Sequence, residues 1–302
     1  MNHLCTISTV SHLYKTFALA DSLQQGTDYN LHVLVVDSEI DYTHQNCKFW
    51  KLSQLQSDST IQAITSKYKG SNDKLRWSLK PAFMKYLLTA VPTNKVIYLD
   101  NDLFFYNSYD FLFNLLDEHS FLLTPHYYRN SPKHNQNWFE ANFRVGLYNA
   151  GFAGASTKAL NVLQWWADCC IYRCSKNALR GTFDDQKYLD LVPVMDENAH
   201  VVRHKGCNVA GWNTEICKRE TINGEVMIDG KFPVVFVHYN NTTIREIVKG
   251  EDSVLLNHYQ HYISALKKYN SNLNENALVV NPPFADKVKY AIWKIVTDKG
   301  IV

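Results

Sequence analysis

The sequence lacks the features that mark membrane-spanning, nucleic-acid-binding and zinc-thiolate proteins. No apolar stretch approaches the roughly 20 residues that a membrane-spanning helix needs. The chain has 31 Lys and Arg residues against 29 Asp and Glu residues, so it also lacks the basic excess that nucleic-acid binding usually requires. Its seven cysteines are irregularly spaced, and no second pair stands near Cys170 and Cys174 to complete a zinc site. We therefore expect reduced, buried thiols and no nucleic-acid partner.

The sequence also shows no internal repeat, no low-complexity tract and no obvious linker. Its N-terminal residues lack the charged-then-apolar pattern of a secretory signal. Hydrophobic residues make up 46% of the 302 residues, which is enough for a sizeable core. We expect a soluble, cytoplasmic protein with a main domain over residues 1–245 and a helical C-terminal extension over residues 246–302 packed on it.

Apolar runs alternate with helical spacing in the first third of the chain. Residues 6–10 and 31–36 are predicted strands, and Ser11 is predicted to cap an amphipathic helix between them. Pro81 is predicted to open a second helix, which leads into a strand that ends at Asp100. Because strands alternate with helices, we predict an α/β fold with a mixed, mostly parallel sheet flanked by helices.

The second half of the chain is less regular. A helix is predicted over about residues 157–172, a strand over residues 234–237, and helical spacing continues from Ser253. Residues 125–142 are rich in polar and aromatic side chains, His126 among them. We predict a loop there, either a flap over a site or a plain surface loop.

Two aspartates, Asp100 and Asp102, stand where an apolar, strand-like run ends. Residues two apart on an extended chain point the same way, so both carboxylates can reach one divalent cation. Carboxylate oxygens suit Mg²⁺ or Mn²⁺. Asp37 also ends a predicted strand, and ligands of such sheets bind beyond the carboxyl ends of the strands. The pattern favours a metal site at this edge, with two solvated aspartates as the alternative.

Further segments fall into a recognisable order along the chain. They are residues 6–9 with 11–14, the second strand with Asp37, residues 98–102 with the aspartate pair, residues 148–152 with Asn149 and Gly151, residues 183–186 with Asp185 and Gln186, and residues 236–239 with His238. In this order they resemble the motifs of the GT-A-fold glycosyltransferases, which transfer sugars from nucleotide diphosphates. The resemblance implies a GT-A (Rossmann-like) fold whose main domain is catalytic.

The resemblance also implies a role for each matched residue. Asp100, Asp102 and His238 would bind Mn²⁺ or Mg²⁺. The residues that would act in catalysis, facing the donor sugar, are Asp184, Asp185 and Gln186. The residues that would hold the nucleotide sugar are Thr6, Thr9, Tyr14, Asp37, Asn101, Asn149, Gly151, Trp212 and Asn213.

Lys80 is added to the nucleotide-binding residues on physical grounds. It directly precedes the predicted helix start at Pro81, and the N–H groups of a helix N-terminus bind phosphates. Each single feature has an ordinary alternative: Lys80 can be a solvated lysine, Gly151 a turn glycine, and His238 a structural histidine.

The implied function is a metal-dependent transfer from a UDP-sugar to a glycan or lipid-linked acceptor in polysaccharide biosynthesis. Retention of configuration is favoured by the match at His238, whereas inversion would require Asp184 or Asp185 as a base. Glycogenin-like members continue after this histidine with a Gly and a Lys-Pro-Trp run. Here Tyr239 follows, and Arg245 is the nearest cation, so a divergent, bacterial-type polysaccharide glycosyltransferase fits better.

Two other functions and one further contact remain open. A non-catalytic sugar-nucleotide-binding protein would keep the same site residues. A haloacid-dehalogenase-like phosphatase also carries an Asp-x-Asp motif, but it needs Thr or Val where this chain has Phe104. The tail with Lys287 and Lys294 is weakly amphipathic. A packed C-terminal helix is favoured there, and peripheral contact with an anionic membrane is the alternative.

Overall fold

The fold is described by a computed structural model over residues 1–133, 135–177 and 180–279. Its strands are β1 (Asn2–Ser8), β2 (Tyr29–Val35), β3 (Cys47–Lys51), β4 (Lys95–Leu99), β5 (Leu103–Phe105), β6 (Phe121–Pro125), β7 (Tyr148–Ser156), β8 (His200–Val201), β9 (Arg219–Ile222), β10 (Glu225–Ile228), β11 (Phe232–Pro233) and β12 (Phe236–His238). Its helices are α1 (Leu13–Ser22), α2 (Ser59–Lys67), α3 (Asn72–Ala90), α4 (Asp110–Glu118), α5 (Gln136–Arg144), α6 (Leu160–Tyr172), α7 (Val192–Met195), α8 (Asn241–Val248) and α9 (Leu256–Tyr269).

A seven-stranded sheet with the strand order β3-β2-β1-β4-β7-β6-β8 forms the centre of the molecule. Strand β7 runs antiparallel to both of its neighbours, and the other six strands share one direction. The continuous apolar runs of β1 and β2 are buried on both faces, as strands of a parallel sheet covered by helices usually are. The predicted mixed, mostly parallel sheet is confirmed.

Helices cover both faces of this sheet and define two hydrophobic clusters. Phe83, Leu87 and Trp166 lie in the cluster formed with α2, α3 and α6. Leu19 and Leu112 lie in the cluster on the other face, formed with α1 and α4. Each such side chain contributes about 1.5–3 kcal/mol when it is fully buried. The two clusters hold the ends of the central strands in fixed positions.

A two-stranded antiparallel ribbon of β5 and β12 lies beside the central sheet. In its register Leu103 lies opposite His238, directly after the aspartate pair. A third hydrophobic cluster packs α8 and α9 against this ribbon, and the rings of Tyr239 and Tyr262 stack with centroids 4.1 Å apart. The ribbon therefore carries the histidine of the later chain to the end of β4.

Helix α3 differs from the sequence prediction at its N-terminus. The helix begins at Asn72 and contains Pro81 in its interior, so the predicted helix start at Pro81 is wrong. An interior proline removes one helical hydrogen bond and is unfavourable by itself. The helix continues because Leu75 and Leu79 before the proline, and Phe83 after it, are all buried in the same core.

Three other local predictions need correction. The alternative of a turn at Gly151 is wrong, because residues 148–152 belong to strand β7, which pairs with β4 on one side and β6 on the other. The predicted loop over residues 125–142 ends in α5, whose first turn is capped by the Asn135 side chain. Ser11 is not a helix cap: a 3₁₀ turn spans Val10–His12, and α1 starts at Leu13.

The helical segment predicted from Ser253 is confirmed as a short 3₁₀ turn followed by α9. Helix α9 contacts α1, where Asp21 accepts hydrogen bonds from Lys268 and from the Tyr269 hydroxyl. The proposed boundary between residues 245 and 246 falls inside α8. The amphipathic tail around Lys287 lies outside the described residues. Among those that are described, no helix combines the length and apolar character needed to cross a membrane.

Candidate active site

The aspartate pair and His238 form a compact group of possible metal ligands. Strand β4 ends at Leu99, and the Asp100 N–H donates to the Gly151 carbonyl across the neighbouring strand β7 at 2.7 Å. Asp100, Asp102 and His238 each offer one ligand atom, and these atoms lie within 4.8 Å of one another. Two atoms bound to one Mg²⁺ at about 2.0–2.1 Å lie at most about 4.2 Å apart, so closure requires only a small movement.

The position of His238 fits a metal ligand. Its Nδ1 lies 3.3 Å from Asn208 Oδ1, and an Nδ1–H donated to this oxygen leaves Nε2 as the nitrogen that a metal would take. Nε2 faces Asp102 Oδ1 at 3.1 Å. Burial alone would raise the pKa of Asp102, but the adjacent His238 outweighs it and the pKa is lowered. Asp102 in turn raises the pKa of His238 against burial, so in the absence of a metal Nε2–H donates to Asp102, and a metal would take the place of this proton. A divalent ion would replace the attraction that His238 now supplies.

Lys80 lies at the centre of the site, in the middle of α3. The prediction that it stands at a helix N-terminus is wrong, since eight helical residues precede it. Its ammonium contacts the Ala150 carbonyl at 3.0 Å, Asp100 at 3.1 Å and Asp185 at 3.2 Å. Burial opposes this charge, but Asp100 and Asp185 outweigh burial and raise the pKa of Lys80. Lys80 therefore joins the end of β4, with its aspartate pair, to the Asp184–Gln186 segment.

Asp184 and Asp185 are both buried. Asp184 has a backbone φ of 48°, in the region that non-glycine residues rarely adopt, and its carboxylate lies 3.5 Å from Lys176. Burial raises the pKa of Asp185 to about 6, against the opposing effect of Lys80. The Asp185 carbonyl also accepts a hydrogen bond from the Trp166 indole at 2.8 Å. The carboxylate of Asp185 is thus aimed at Lys80 rather than free.

Gln186 and Asn149 are held by backbone groups of β7. Gln186 Oε1 accepts from the Ala150 N–H at 3.1 Å, and Asn149 Oδ1 accepts from the Gly151 N–H at 2.9 Å. A Cβ placed on Gly151 would lie 2.6 Å from both Asn149 Oδ1 and His238 Cε1. Glycine is therefore required here by close approach of the site's own side chains.

Five of the residues predicted to hold the nucleotide sugar lie in two environments. Thr9, Asp37 and Asn101 lie beyond or at the ends of β1, β2 and β4, and Asp37 accepts a hydrogen bond from the Val10 N–H at 2.9 Å. Thr6 lies inside β1 with its side chain fully buried. Tyr14 packs against the cluster under α8 and α9.

Trp212 and Asn213 belong to a buried 3₁₀ turn. The Trp212 ring packs edge-on against His238, with ring centroids 5.2 Å apart, and only 7% of the residue is exposed. Asn213 accepts from the Ala210 N–H at 3.1 Å and donates to the Asn208 carbonyl at 2.9 Å. Asn213 therefore shapes the turn that presents Trp212 and Asn208 to His238.

Sequence reasoning missed two residues of this site, Asn208 and His126. Asn208 orients His238, and His126 contacts Asn149. His126 follows the apolar strand β6 directly, which is the same signal that marked Asp100 after β4. That signal was available in the sequence but was read there as the start of a loop.

Solved structures with the same overall fold are glycosyltransferases. The WbbM bifunctional glycosyltransferase matches with a TM-score of 0.51 at 10% identity, over 88% of this chain and 49% of that one. The galactosyltransferase LgtC, in complex with donor and acceptor sugar analogs, matches with a TM-score of 0.48 at 14% identity, over 78% of this chain and 86% of that one. Mouse xyloside xylosyltransferase 1 also has a TM-score of 0.48, at 15% identity, over 80% of this chain and 98% of that one. The chain has the GT-A fold.

Two proteins of Bacillus subtilis (strain 168) are similar in sequence. The uncharacterized protein YfnD is 30% identical over 250 residues, which cover 80% of this chain and 78% of YfnD. The uncharacterized protein YfnF is 26% identical over 253 residues, which cover 80% of this chain and 82% of YfnF. No family model matches the sequence. The chain belongs to the same family as YfnD.

Proposed function

We propose that this chain is a metal-dependent glycosyltransferase that moves a sugar from a UDP-sugar to a glycan or lipid-linked acceptor. One observation carries the proposal. Asp100, Asp102 and Asp185 contribute three carboxylates, and Lys80 contributes one ammonium. With His238 neutral, as a ligand must be, the group keeps two negative charges, which is the charge a divalent cation balances. The GT-A fold supports the same assignment.

The ligand atoms of Asp100, Asp102 and His238 would hold Mn²⁺ or Mg²⁺. When bound, the ion offsets the negative charge that develops on the diphosphate leaving group. The chain's own residues do the rest. Lys80 fixes the Asp100 carboxylate, and Asn208 fixes the His238 ring. Asn149 on β7, and Gln186, which accepts from the Ala150 N–H of β7, would offer their amide groups to the donor sugar. The absence of a side chain at Gly151 lets Asn149 and His238 approach β7 closely.

We propose that the transfer proceeds with retention of configuration. An inverting enzyme needs a carboxylate that can take a proton from the acceptor. Asp185 contacts the Lys80 ammonium at 3.2 Å, and Asp184 lies 3.5 Å from the Lys176 ammonium. Both carboxylates are buried and each faces a lysine, which disfavours them as the base.

The proposal is tested by thermal unfolding with UDP, GDP, CMP and dTDP, each with and without Mn²⁺. A ligand at about 100 times its dissociation constant adds about 2.7 kcal/mol to the free energy of unfolding. We expect UDP to stabilise the wild type only with Mn²⁺, and Asp102→Ala to abolish that shift. Asp117→Asn is the matched control, because Asp117 is an exposed aspartate in the last turn of α4, where it pairs with Lys95.

The outcomes separate the candidate functions. A UDP shift that ignores Mn²⁺ and Asp102 contradicts the metal-bridged donor. A metal-dependent shift without turnover of any UDP-sugar, with water or with glycan acceptors, favours a non-catalytic sugar-nucleotide-binding protein. Retention is tested in turn by the anomeric configuration of the product, read by NMR, and an inverted product contradicts it.

A further inference from the structure

His126 lies beneath the proposed donor-sugar site without touching the three metal ligands. It follows β6, is 2% exposed, and contacts Asn149. Its ring stacks on Tyr128, with centroids 4.5 Å apart and an interplanar angle of 11°, and meets the edge of Trp212 at 5.4 Å. These two rings hold the imidazole in one orientation, so the hydrogen bonds of its two nitrogens are fixed.

The hydrogen bonds of His126 define which nitrogen carries the proton. Nδ1 lies 2.9 Å from the Gly146 carbonyl, which can only accept, so Nδ1 is the donor. Nε2 then carries the lone pair and lies 3.2 Å from Asn149 Nδ2, which donates to it. Burial lowers the pKa of His126 to about 3, so the ring is neutral at physiological pH and Nε2 stays an acceptor.

This acceptor orients the Asn149 amide. With Nδ2 directed at His126, Asn149 Oδ1 is the atom that accepts from the Gly151 N–H at 2.9 Å. A reversed amide would place an NH₂ group against the Gly151 N–H, donor against donor. His126 and the Gly151 N–H therefore select the same one of the two amide orientations.

The orientation continues from Asn149 into Gln186. Asn149 Nδ2 also lies 3.3 Å from Gln186 Oε1, which accepts as well from the Ala150 N–H. Gln186 Nε2 is then directed at the Val145 carbonyl at 3.3 Å. One neutral imidazole thus stands at the start of a chain of donors and acceptors that runs through Asn149 and Gln186 to the Val145 carbonyl.

We propose that His126 is a positioning residue for the donor sugar, which fixes the amide orientation of Asn149 and, through Asn149, that of Gln186. The inference rests on the proposed function, since it assigns the sugar half of a nucleotide-sugar donor to these amides. It predicts that His126 affects binding of the sugar and leaves binding of the nucleotide diphosphate unchanged.

The experiment compares His126→Phe and His126→Gln with the wild type by calorimetric titration in Mn²⁺. The ligands are UDP, UDP-glucose, UDP-galactose and UDP-N-acetylglucosamine. The Phe variant keeps an aromatic ring at this position but has no hydrogen-bond acceptor. We therefore expect its affinity for the best-bound UDP-sugar to fall about tenfold, as loss of one buried hydrogen bond implies. Its affinity for UDP should stay within about twofold of the wild-type value. The Gln variant keeps a side-chain acceptor and should lose less.

His32→Phe is the matched control. His32 lies on β2, is 1% exposed and is neutral, because burial lowers its pKa to about 3. It is hydrogen-bonded to His3 on β1 and to Trp50 on β3, away from the aspartate pair. Its substitution removes an equally buried imidazole, and we expect it to change thermal stability without changing the ratio of UDP-sugar affinity to UDP affinity. Equal weakening of UDP and UDP-sugar in His126→Phe overturns the proposal.

A second measurement needs no nucleotide sugar. Long-range ¹H–¹⁵N NMR of the wild type reports the tautomer of His126, and the side-chain amide resonances of Asn149 and Gln186 report their environment. We expect the Nδ1–H tautomer in the wild type and shifted amide resonances in His126→Gln. The Nε2–H tautomer overturns the inference even if UDP-sugars bind. If the wild type binds no nucleotide at all, the proposed function is refuted, and so is the role of His126 in positioning the donor sugar.

Discussion

Two buried cations in this fold face carboxylates in different ways. Lys80 contacts two of them, Asp100 and Asp185, and Asp102 stands beside the first. Arg219 faces one carboxylate, Asp252, at 3.2 Å, and both side chains are only 4% exposed. The Arg219 guanidinium also donates to the Ala210 carbonyl at 2.6 Å and to Asn213 Oδ1 at 2.9 Å. The first group has more negative charge than it can neutralise, and the second pair is balanced.

The difference separates the proposed cation site around Lys80 from a structural ion pair at Arg219. A buried, balanced ion pair needs no further partner, and the hydrogen bonds of Arg219 hold the turn that carries Trp212. The group around Lys80 opens to solvent on one side, where the Asp100 and Asp102 side chains are 30% and 23% exposed. Excess negative charge on an accessible strand end attracts a cation, whereas the Arg219 pair attracts nothing.

The largest expected effect comes from removing each cation in turn. Lys80→Met and Arg219→Met should each lower the free energy of unfolding by about 3–5 kcal/mol, because each leaves a buried carboxylate unpaired. Only Lys80→Met should regain stability with Mn²⁺, and by more than the wild type gains, since the ion would pair with Asp100 in place of the ammonium. Urea unfolding with and without Mn²⁺ measures both values.

Two outcomes of the same unfolding measurements would contradict the difference between the Lys80 group and the Arg219 pair. If Mn²⁺ stabilises both variants alike, the ion acts on the protein generally rather than at Asp100. If it stabilises neither variant, the group around Lys80 is a closed ion network like the pair at Arg219. Either result contradicts the charge argument, whatever the size of the stability loss.

The fold class and the aspartate pair were predictable because their signals are local. An apolar run that ends in Asp100 and Asp102 marks a strand end from a few consecutive residues. His238 came only from the resemblance, since its position depends on the pairing of β5 with the distant β12. Local patterns fix where a strand ends, but they do not fix which later segment pairs beside it.

The failures have the same origin. Pro81 was read as a helix start because proline favours the first turn, yet burial of the residues around it keeps α3 continuous. His126 does lie in the loop after β6, but its place in the site was missed because its partners, Gly146 and Asn149, lie about twenty residues later in the chain. The strand ends marked by neighbouring residues held, whereas the helix starts at Ser11 and Pro81 were wrong and the partners of His126 were missed.

A smaller effect is expected from two glycines on the same strand, β7. The nearest neighbours of a Cβ on Gly151 would be Asn149, His238 and Asp100, whereas the nearest neighbour of a Cβ on Gly154 would be the Leu122 side chain at 3.1 Å. Both Gly→Ala changes should lower the free energy of unfolding by about 1–3 kcal/mol through overpacking. Only Gly151→Ala should weaken Mn²⁺ binding, by about 10–100-fold, because it displaces the groups that orient the ligands.

Titration with Mn²⁺, followed by calorimetry, measures this difference, and Gly154→Ala is the control for the strand itself. Equal Mn²⁺ affinity in the two variants would mean that the close approach at Gly151 has no bearing on the ligand group. A loss in Gly154→Ala alone would place the sensitive contact on the β6 side of the sheet, where Leu122 lies.

The smallest effect concerns Glu246, which lies near the Arg219–Asp252 pair. Burial, with Glu251 and Asp252 nearby, raises the pKa of Glu246 to about 7 from its usual 4.5. The folded state therefore holds a proton that the unfolded state has released between about pH 4.5 and 7, and this contribution to stability is lost as the pH rises through that window. Glu246→Gln keeps the neutral form, so the unfolding free energy of the variant should match that of the wild type at pH 4 and exceed it by about 1 kcal/mol at pH 8.

Because Asp185 and His238 titrate in both proteins, the difference between the two pH profiles of unfolding free energy isolates Glu246. Parallel profiles would mean that Glu246 is charged in the folded protein. The surroundings of Arg219 would then also carry excess negative charge. The charge difference between the Lys80 group and the Arg219 pair, on which the proposed metal site relies, would be lost.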